Sequence, residues 1–284
     1  MGPRRQAHAA LAAAGMRPRK RFGQHFLCDD AVVRRIVETA ALGDDPVVLE
    51  IGPGLGALTQ TLATRARRLY LVEVDRDLAA RLRTLYADQS HVAVIEADVL
   101  DVRLDRVIPD EPVTVVANLP YNIGTEVVFR LLEVRRRFPH AVLMLQREVA
   151  ERFTARPGTD AWGAPSVMLQ TFADVRIAFG VSRRSFHPPP RVMSSVIDVR
   201  WLDAPRVEIG SLAAYRTVVR AAFGQRRKTL RNALGRVEVE WSLASGTASM
   251  ACVAAGVDPG ARAETLDVAA FGRLTCALLR HRHA

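Results

Sequence analysis

Apolar residues in this chain arrive in short runs, each closed by a polar or glycine-bearing turn and followed by helical spacing. Val47-Val48-Leu49-Glu50-Ile51 reads as a buried strand that stops at Gly52-Pro53-Gly54-Leu55-Gly56, and a helix follows through Leu58 and Leu62. Leu69-Tyr70-Leu71-Val72 stops at Glu73-Val74-Asp75 and leads into a helix over about 78–85. Val92-Ala93-Val94-Ile95 ends in Glu96-Ala97-Asp98. Val113-Thr114-Val115-Val116-Ala117 ends in Asn118-Leu119-Pro120-Tyr121, before a helix over about 125–134 and a fifth strand, Ala141-Val142-Leu143-Met144-Leu145. Strands that alternate with helices predict an α/β fold with a mostly parallel, doubly wound sheet. Upstream, Asp29 or Asp30 can cap a helix running through Val33, Ile36 and Val37.

The rhythm changes after the fifth strand. A Gly/Pro-containing stretch (156–165) precedes an apolar segment to Phe179, the turn Phe186-His187-Pro188-Pro189-Pro190, and a last strand over about 196–201. Whether the final two strands form an antiparallel edge is left open by the pattern. Asp203-Ala204-Pro205 reads as a linker, and the remainder is helical, with Asp267 capping a helix that bears Phe271, Leu274 and Leu278. At 100° per residue, Val219, Phe223, Leu230 and Leu234 share one stripe, flanked by Arg220, Arg227, Lys228 and Arg231. This predicts one packed helix with a basic flank suited to nucleic-acid phosphates. The expected division is a basic mobile tail over 1–18, an α/β domain over 19–203 and a small all-α domain over 204–284, with no internal repeat.

Composition refines this picture. With 284 residues and 49% hydrophobic content the chain can bury one large core and a smaller one. No apolar run approaches the ~20 residues of a membrane span. The N-terminal arginines and alanines loosely imitate a signal peptide, but His8 interrupts them and Arg17-Pro18-Arg19-Lys20-Arg21 follows, so a cytoplasmic protein is expected. A net charge of +10 favours a polyanionic partner. Of the 40 basic residues only Lys20 and Lys228 are lysine; arginine suits phosphate forks and base stacking, and genomic codon bias gives the same excess. Cys28, Cys252 and Cys276 are too scattered for a metal site or a disulfide framework, so no metal is expected.

Candidate chemistry gathers at strand ends, where open parallel sheets bind their ligands. The glycine run after the first strand lets backbone approach a ligand closely. Glu73 is placed to accept two ribose hydroxyls, and Asp98 to accept from an adenine amine. Together they describe a nucleoside-shaped pocket. The run is G-x-G-x-G with Pro53 inside, not the G-x-G-x-x-G that seats a pyrophosphate, which disfavours a nicotinamide-linked oxidoreductase. S-adenosylmethionine has no pyrophosphate, and its ammonium suits acidic residues such as Glu50 near the turn. No GK[ST] loop, HExxH pair or assembled Ser/His/Asp arrangement is present. The Asn118 turn suits a flat base with an exocyclic amine. The Asn118 side-chain oxygen and the Leu119 carbonyl can each accept one amine hydrogen, Pro120 restrains the turn, and Tyr121 can lie on the ring.

These motifs occur in one order with Phe22-Gly23-Gln24-His25-Phe26-Leu27 before them and Leu145-Gln146-Arg147-Glu148-Val149-Ala150, Phe186-His187-Pro188-Pro189-Pro190-Arg191-Val192 and Arg226-Arg227-Lys228-Thr229-Leu230 after. The set closely resembles the ribosomal RNA adenine dimethyltransferases. The C-terminal segments, including Arg262-Ala263-Glu264-Thr265-Leu266, look like the KsgA-type small-subunit branch and not the macrolide-resistance enzymes of the large subunit. The resemblance implies a Rossmann-like class I methyltransferase with a seven-stranded sheet and a helical C-terminal domain. It implies a monomer that dimethylates two adjacent adenosines in the 3′-terminal hairpin of 16S rRNA within a pre-ribosomal 30S particle. S-adenosylmethionine contacts would be His25, Leu27, Gly52, Gly54, Glu73, Asp98 and Asn118. His25 departs from the more usual Asn, Trp162 from a common tyrosine, and Ala164-Pro165 from a frequent Arg-Leu. The target base must be unpaired or flipped, with Tyr121 on one face and Phe186 on the other. A ribosome-assembly factor on the same scaffold is the non-enzymatic alternative.

Overall fold

The computed structural model describes residue 19, residues 24–225 and residues 227–282; the tail over 1–18 lies outside the described residues. Nine strands are present among them: β1 (Phe26–Leu27), β2 (Val47–Ile51), β3 (Arg68–Glu73), β4 (Val92–Glu96), β5 (Thr114–Asn118), β6 (His140–Gln146), β7 (Ala173–Val181), β8 (Phe186–His187) and β9 (Ser194–Trp201). Seven form one sheet in the order β4-β3-β2-β5-β6-β9-β7, and β1 pairs with β8 in a separate two-residue ladder. The pairings β2–β3, β2–β5, β3–β4 and β5–β6 are parallel. β9 runs antiparallel to β6, and β7 lies beside it at the edge of the sheet.

The chain divides into two compact units. Among the described residues, the first comprises those up to 150 together with 175–201. Its central strands are apolar on both faces because helices cover both sides. Val48, Leu49, Leu69, Leu71, Val115, Val116, Val142 and Leu143 have no exposed surface. The Ala57–Ala63 helix buries Leu58 and Leu62, the Arg76–Leu85 helix Leu78 and Leu82, and the Gly124–Glu133 helix Val127, Val128, Leu131 and Leu132. Asp29, not Asp30, caps the Asp30–Thr39 helix, accepting from Ala31 N and Val32 N.

The second unit comprises residues 151–174 and 202–284. A single cut at residue 203 therefore misplaces 151–174, which groups with the C-terminal helices. Local reasons are visible: Trp162 Nε1 donates to the Leu266 carbonyl at 3.0 Å, and Thr171 Oγ1 shares a 2.8 Å bond with Tyr215 Oη. Ala270 N donates to Asp267 Oδ1 at 2.7 Å, the cap expected for the Val268–Arg282 helix.

One continuous helix from 219 to 234 is not formed. The Leu212–Phe223 helix stops at Gly224, and a new helix, Leu230–Ala233, starts after Thr229 in extended backbone. Leu230 N and Arg231 N donate to the Ala261 and Pro259 carbonyls, so bonds to a distant segment replace the helical ladder. Val219, Leu230 and Leu234 are nevertheless buried, which preserves the stripe that suggested a helix.

Candidate active site

Register brings the glycine turn, Glu73 and Asn118 together. Ile51 lies level with Val72 of β3 and with Ala117 of β5. The next residues, Gly52 just past β2 and Glu73 and Asn118 as the last of β3 and β5, therefore lie level at the carboxyl ends of the strands, where the strand order reverses between β2 and β5. Glu73 is level with Glu96 of β4, and Asp98 follows two residues on. These groups line a cleft of about 310 Å³ together with His25, Leu27, Gly54, Leu119, Pro120 and Tyr121.

The turn after β2 is held through its backbone N–H groups. Gly52 N donates to the Val72 carbonyl at 2.9 Å and Gly56 N to the Pro53 carbonyl at 2.9 Å. Gly54 N donates to Glu73 Oε2 at 3.0 Å. The three glycine N–H groups that would otherwise cradle a pyrophosphate are thus engaged internally. No Arg or Lys lines the cleft among the described residues. Gly54 takes φ +59°, and a Cβ there would stand 3.2 Å from the Phe26 ring, so glycine serves both the left-handed backbone and the close approach.

Glu73 is buried, its Oε1 accepting from Asp75 N at 2.9 Å. Burial raises its pKa, and the backbone bonds from Asp75 and Gly54 oppose that rise. With Val74 also bonding it through backbone, three of the roughly four acceptor directions of this carboxylate are taken and about one is left for a ligand hydroxyl. Glu50, in the middle of β2, accepts from Thr59 Oγ1 at 2.7 Å, and burial pushes its carboxyl up to about 8. At neutral pH it is therefore protonated, and a cation brought beside it would release a proton. Asp98 is half-buried; its Oδ1 accepts from Leu100 N at 2.9 Å.

Asn118 Nδ2 donates to the His25 carbonyl at 3.3 Å. That bond fixes which end of the amide is spent and leaves Oδ1 as an acceptor. Leu119 N donates to the Met144 carbonyl at 3.1 Å, anchoring the turn to β6. Tyr121 Oη shares a 2.6 Å bond with Ser194 Oγ, and the Tyr121 ring lies 5.4 Å from that of His25 at 31°. Burial raises the Tyr121 pKa, so the phenol stays neutral.

Phe186 requires a correction. It has no exposed surface and belongs to the core cluster containing Leu27, Val33 and Val181. With both ring faces in the core, it offers nothing on which a base can stack. Its place in β8, opposite Leu27, makes it support beneath the cleft wall. Arg220, Arg227, Lys228 and Arg231 are exposed and belong to the second unit.

Sequence reasoning missed several supports. Phe26 covers the glycine turn. Ser194 holds Tyr121 from 73 residues away. Arg19 NH1 and Gln24 Nε2 bind the two oxygens of Asp75 at 2.8 and 3.0 Å, while His25 Nδ1 lies 2.8 Å from the Pro188 carbonyl. The acidic Glu73-Val74-Asp75 turn hinted at the Asp75 bonds; nothing local announced Ser194.

The cleft thus offers acceptors and carboxyl groups to hydroxyls, amines and positive charge, and no cation to a phosphate. Such a donor set fits the ribose, the ammonium and the sulfonium of S-adenosylmethionine. A family model described as ribosomal RNA adenine dimethylase matches residues 15–273. The ribosomal RNA small subunit methyltransferase A of Syntrophotalea carbinolica is 43% identical over 265 residues, spanning 93% of this chain and 98% of that protein. Its namesake from Bordetella petrii is 46% identical over 262 residues, spanning 92% and 95%. Among solved structures, a dimethyladenosine transferase from Plasmodium falciparum superposes with a TM-score of 0.73 at 26% identity, covering 88% of this chain and 96% of that one. The 23S rRNA methyltransferase ErmE does so at 0.68 with 31% identity, covering 89% and 99%.

Proposed function

The chain belongs to the ribosomal RNA adenine dimethylase family, and we propose that it dimethylates the N6 amines of two adjacent adenosines in the 3′-terminal hairpin of 16S rRNA. S-adenosylmethionine is the donor; when bound it supplies an electrophilic methyl on a positively charged sulfur. We place the reaction on a small-subunit precursor particle in the cytoplasm, with the enzyme acting as a monomer. The small-subunit assignment is supported by relatives of that name at 43% and 46% identity over more than nine-tenths of the chain, against 31% for the large-subunit enzyme.

One observation carries the chemistry. Asn118 has its Nδ2 committed to the His25 carbonyl, which leaves its Oδ1 and the adjacent Leu119 carbonyl as two acceptors on residues that line the cleft. An adenine amine is a weak nucleophile because its lone pair delocalises into the ring. Two acceptors draw its hydrogens out of plane and localise the pair, so that positioning and charge relief govern the displacement. The methylated ammonium loses its proton to water, and no covalent intermediate is needed. At the second transfer one amine hydrogen remains, and one acceptor goes unused. Glu73 and Asp98 would hold ribose and adenine of the donor, with His25, Leu27, Gly52 and Gly54 shaping its walls.

The target base must leave any duplex to enter the cleft. Tyr121 supplies a stacking face, worth ~1–3 kcal/mol in single-strand binders. Arg220, Arg227, Lys228 and Arg231 serve as phosphate contacts from the second unit.

The test is labelled-methyl transfer to unmethylated small subunits and, separately, to large-subunit RNA, with the product adenosines mapped. Two dimethylated neighbours in the small-subunit RNA are expected. Transfer to large-subunit adenine alone would overturn the assignment.

A further inference from the structure

A second concavity lies far from the chemistry. Arg103, Arg130, Arg135, Arg136 and Arg137 line it with Glu133 and Val134, enclosing about 670 Å³ of open space. Five of the seven lining residues are arginines and one is a carboxylate. Its position follows from the sheet: Val113 N donates to the Arg137 carbonyl at 2.9 Å, just before β5 begins, whereas Asn118 ends β5. Five residues of strand separate these points, about 17 Å at ~3.3 Å per residue. A group bound here cannot touch the reacting amine.

The arginines are held in place. Arg130 donates NH1 to Glu133 Oε2 at 3.2 Å and NH2 to the Val102 carbonyl at 3.3 Å, and its Nε is buried with no hydrogen-bond partner. Arg137 donates NH1 to the Ile108 carbonyl at 3.1 Å and binds Asp110 through Nε at 3.1 Å and NH2 at 2.5 Å. Arg135 donates NH1 to the Leu132 carbonyl at 3.3 Å, and burial, followed by the charge of Arg136, pulls its pKa down. An anion beside Arg135 would offset both its burial and the neighbouring charge. Arg136 itself is exposed at the mouth. Planar forks converging on an open surface match phosphate oxygens on a backbone that runs past, better than an enclosed small anion.

We propose that this arginine cluster is a second RNA-backbone site, gripping phosphates of the substrate RNA remote from the target adenosine. The inference rests on the reading of the chain as an RNA methyltransferase. It adds affinity and orientation without reading sequence.

Arg136→Ala and Arg136→Lys test it in the full chain, since this side chain is exposed and outside the catalytic cleft. Binding of unmethylated small subunits is measured from low to high salt. Loss of one phosphate contact lowers the slope of log K against log salt by ~0.7–0.9, a weakening of up to about eightfold at ~0.1 M salt. We expect that loss in Arg136→Ala, recovery in Arg136→Lys, and unchanged S-adenosylmethionine affinity in both. Equal slopes for Arg136→Ala and wild type, with wild type still methylating the subunit, would overturn this site alone. If inorganic phosphate raises the melting temperature of wild type but not of Arg136→Ala while the RNA slopes coincide, the cluster takes a free anion and the proposal fails. A wild type that neither binds nor methylates the subunit overturns the enzymatic reading and this one with it.

Discussion

Glu50→Gln isolates a buried acid whose influence can be worked out from its surroundings. The Glu50 carboxyl is 1% exposed, accepts one hydrogen bond from Thr59, and has Glu73 nearby. Desolvation dominates and lifts its pKa from 4.5 to about 8. Between those values the folded protein keeps a proton that the unfolded chain has lost. Stability therefore falls as pH rises through that window, by ~1.4 kcal/mol per pH unit, and levels off above about pH 8. The full cost of ionising the native protein is about 5 kcal/mol, of which ~3 kcal/mol is already present at pH 7. Glutamine keeps an oxygen for the Thr59 hydroxyl and cannot ionise. Urea unfolding of both proteins from pH 4.5 to 9, compared as a difference, cancels the other titrating groups. The two should match near pH 4.5, and the glutamine variant should be several kcal/mol more stable at pH 9. A difference that stays flat with pH would refute the assignment of a neutral native acid.

Asn118→Ala should lower methyl transfer by two or more orders of magnitude while RNA affinity changes less than threefold, as read by single-turnover labelling and binding in parallel; near-normal incorporation would count decisively against the paired-acceptor reading. Tyr121→Phe keeps a ring but loses the Ser194 bond, so it should lose less activity than Tyr121→Ala; equal losses would mean that the ring does not stack. Phe186→Leu should retain most activity, with a melting temperature a few degrees lower, because the side chain fills core; a hundredfold fall in activity at an unchanged melting temperature would restore it as a base contact.

Much of this protein was legible in one dimension because its central strands are buried on both faces. Such strands are written as mainly apolar runs, and a polar or glycine-bearing turn follows where each ends. Gly52, Glu73, Asp98 and Asn118 were found that way, and the parallel register then aligned three of them across neighbouring strands. The glycine spacing also disfavoured a pyrophosphate cradle, and the structure then showed the glycine N–H groups engaged internally. Contacts between segments far apart obey no local rule, and there only the tertiary structure decided. Phe186 stands in a motif that invites a binding role, yet pairing with Leu27 turns it into the core. Ser194 was ordinary until the fold set it beside Tyr121. The helical stripe from 219 to 234 was correct about burial and wrong about continuity, because periodicity reports which side chains are inside and not whether the backbone between them stays wound. The cluster at Arg103, Arg130 and 135–137 belongs to the same class: charges scattered along the chain become a site only when crossover segments return to the same end of the sheet.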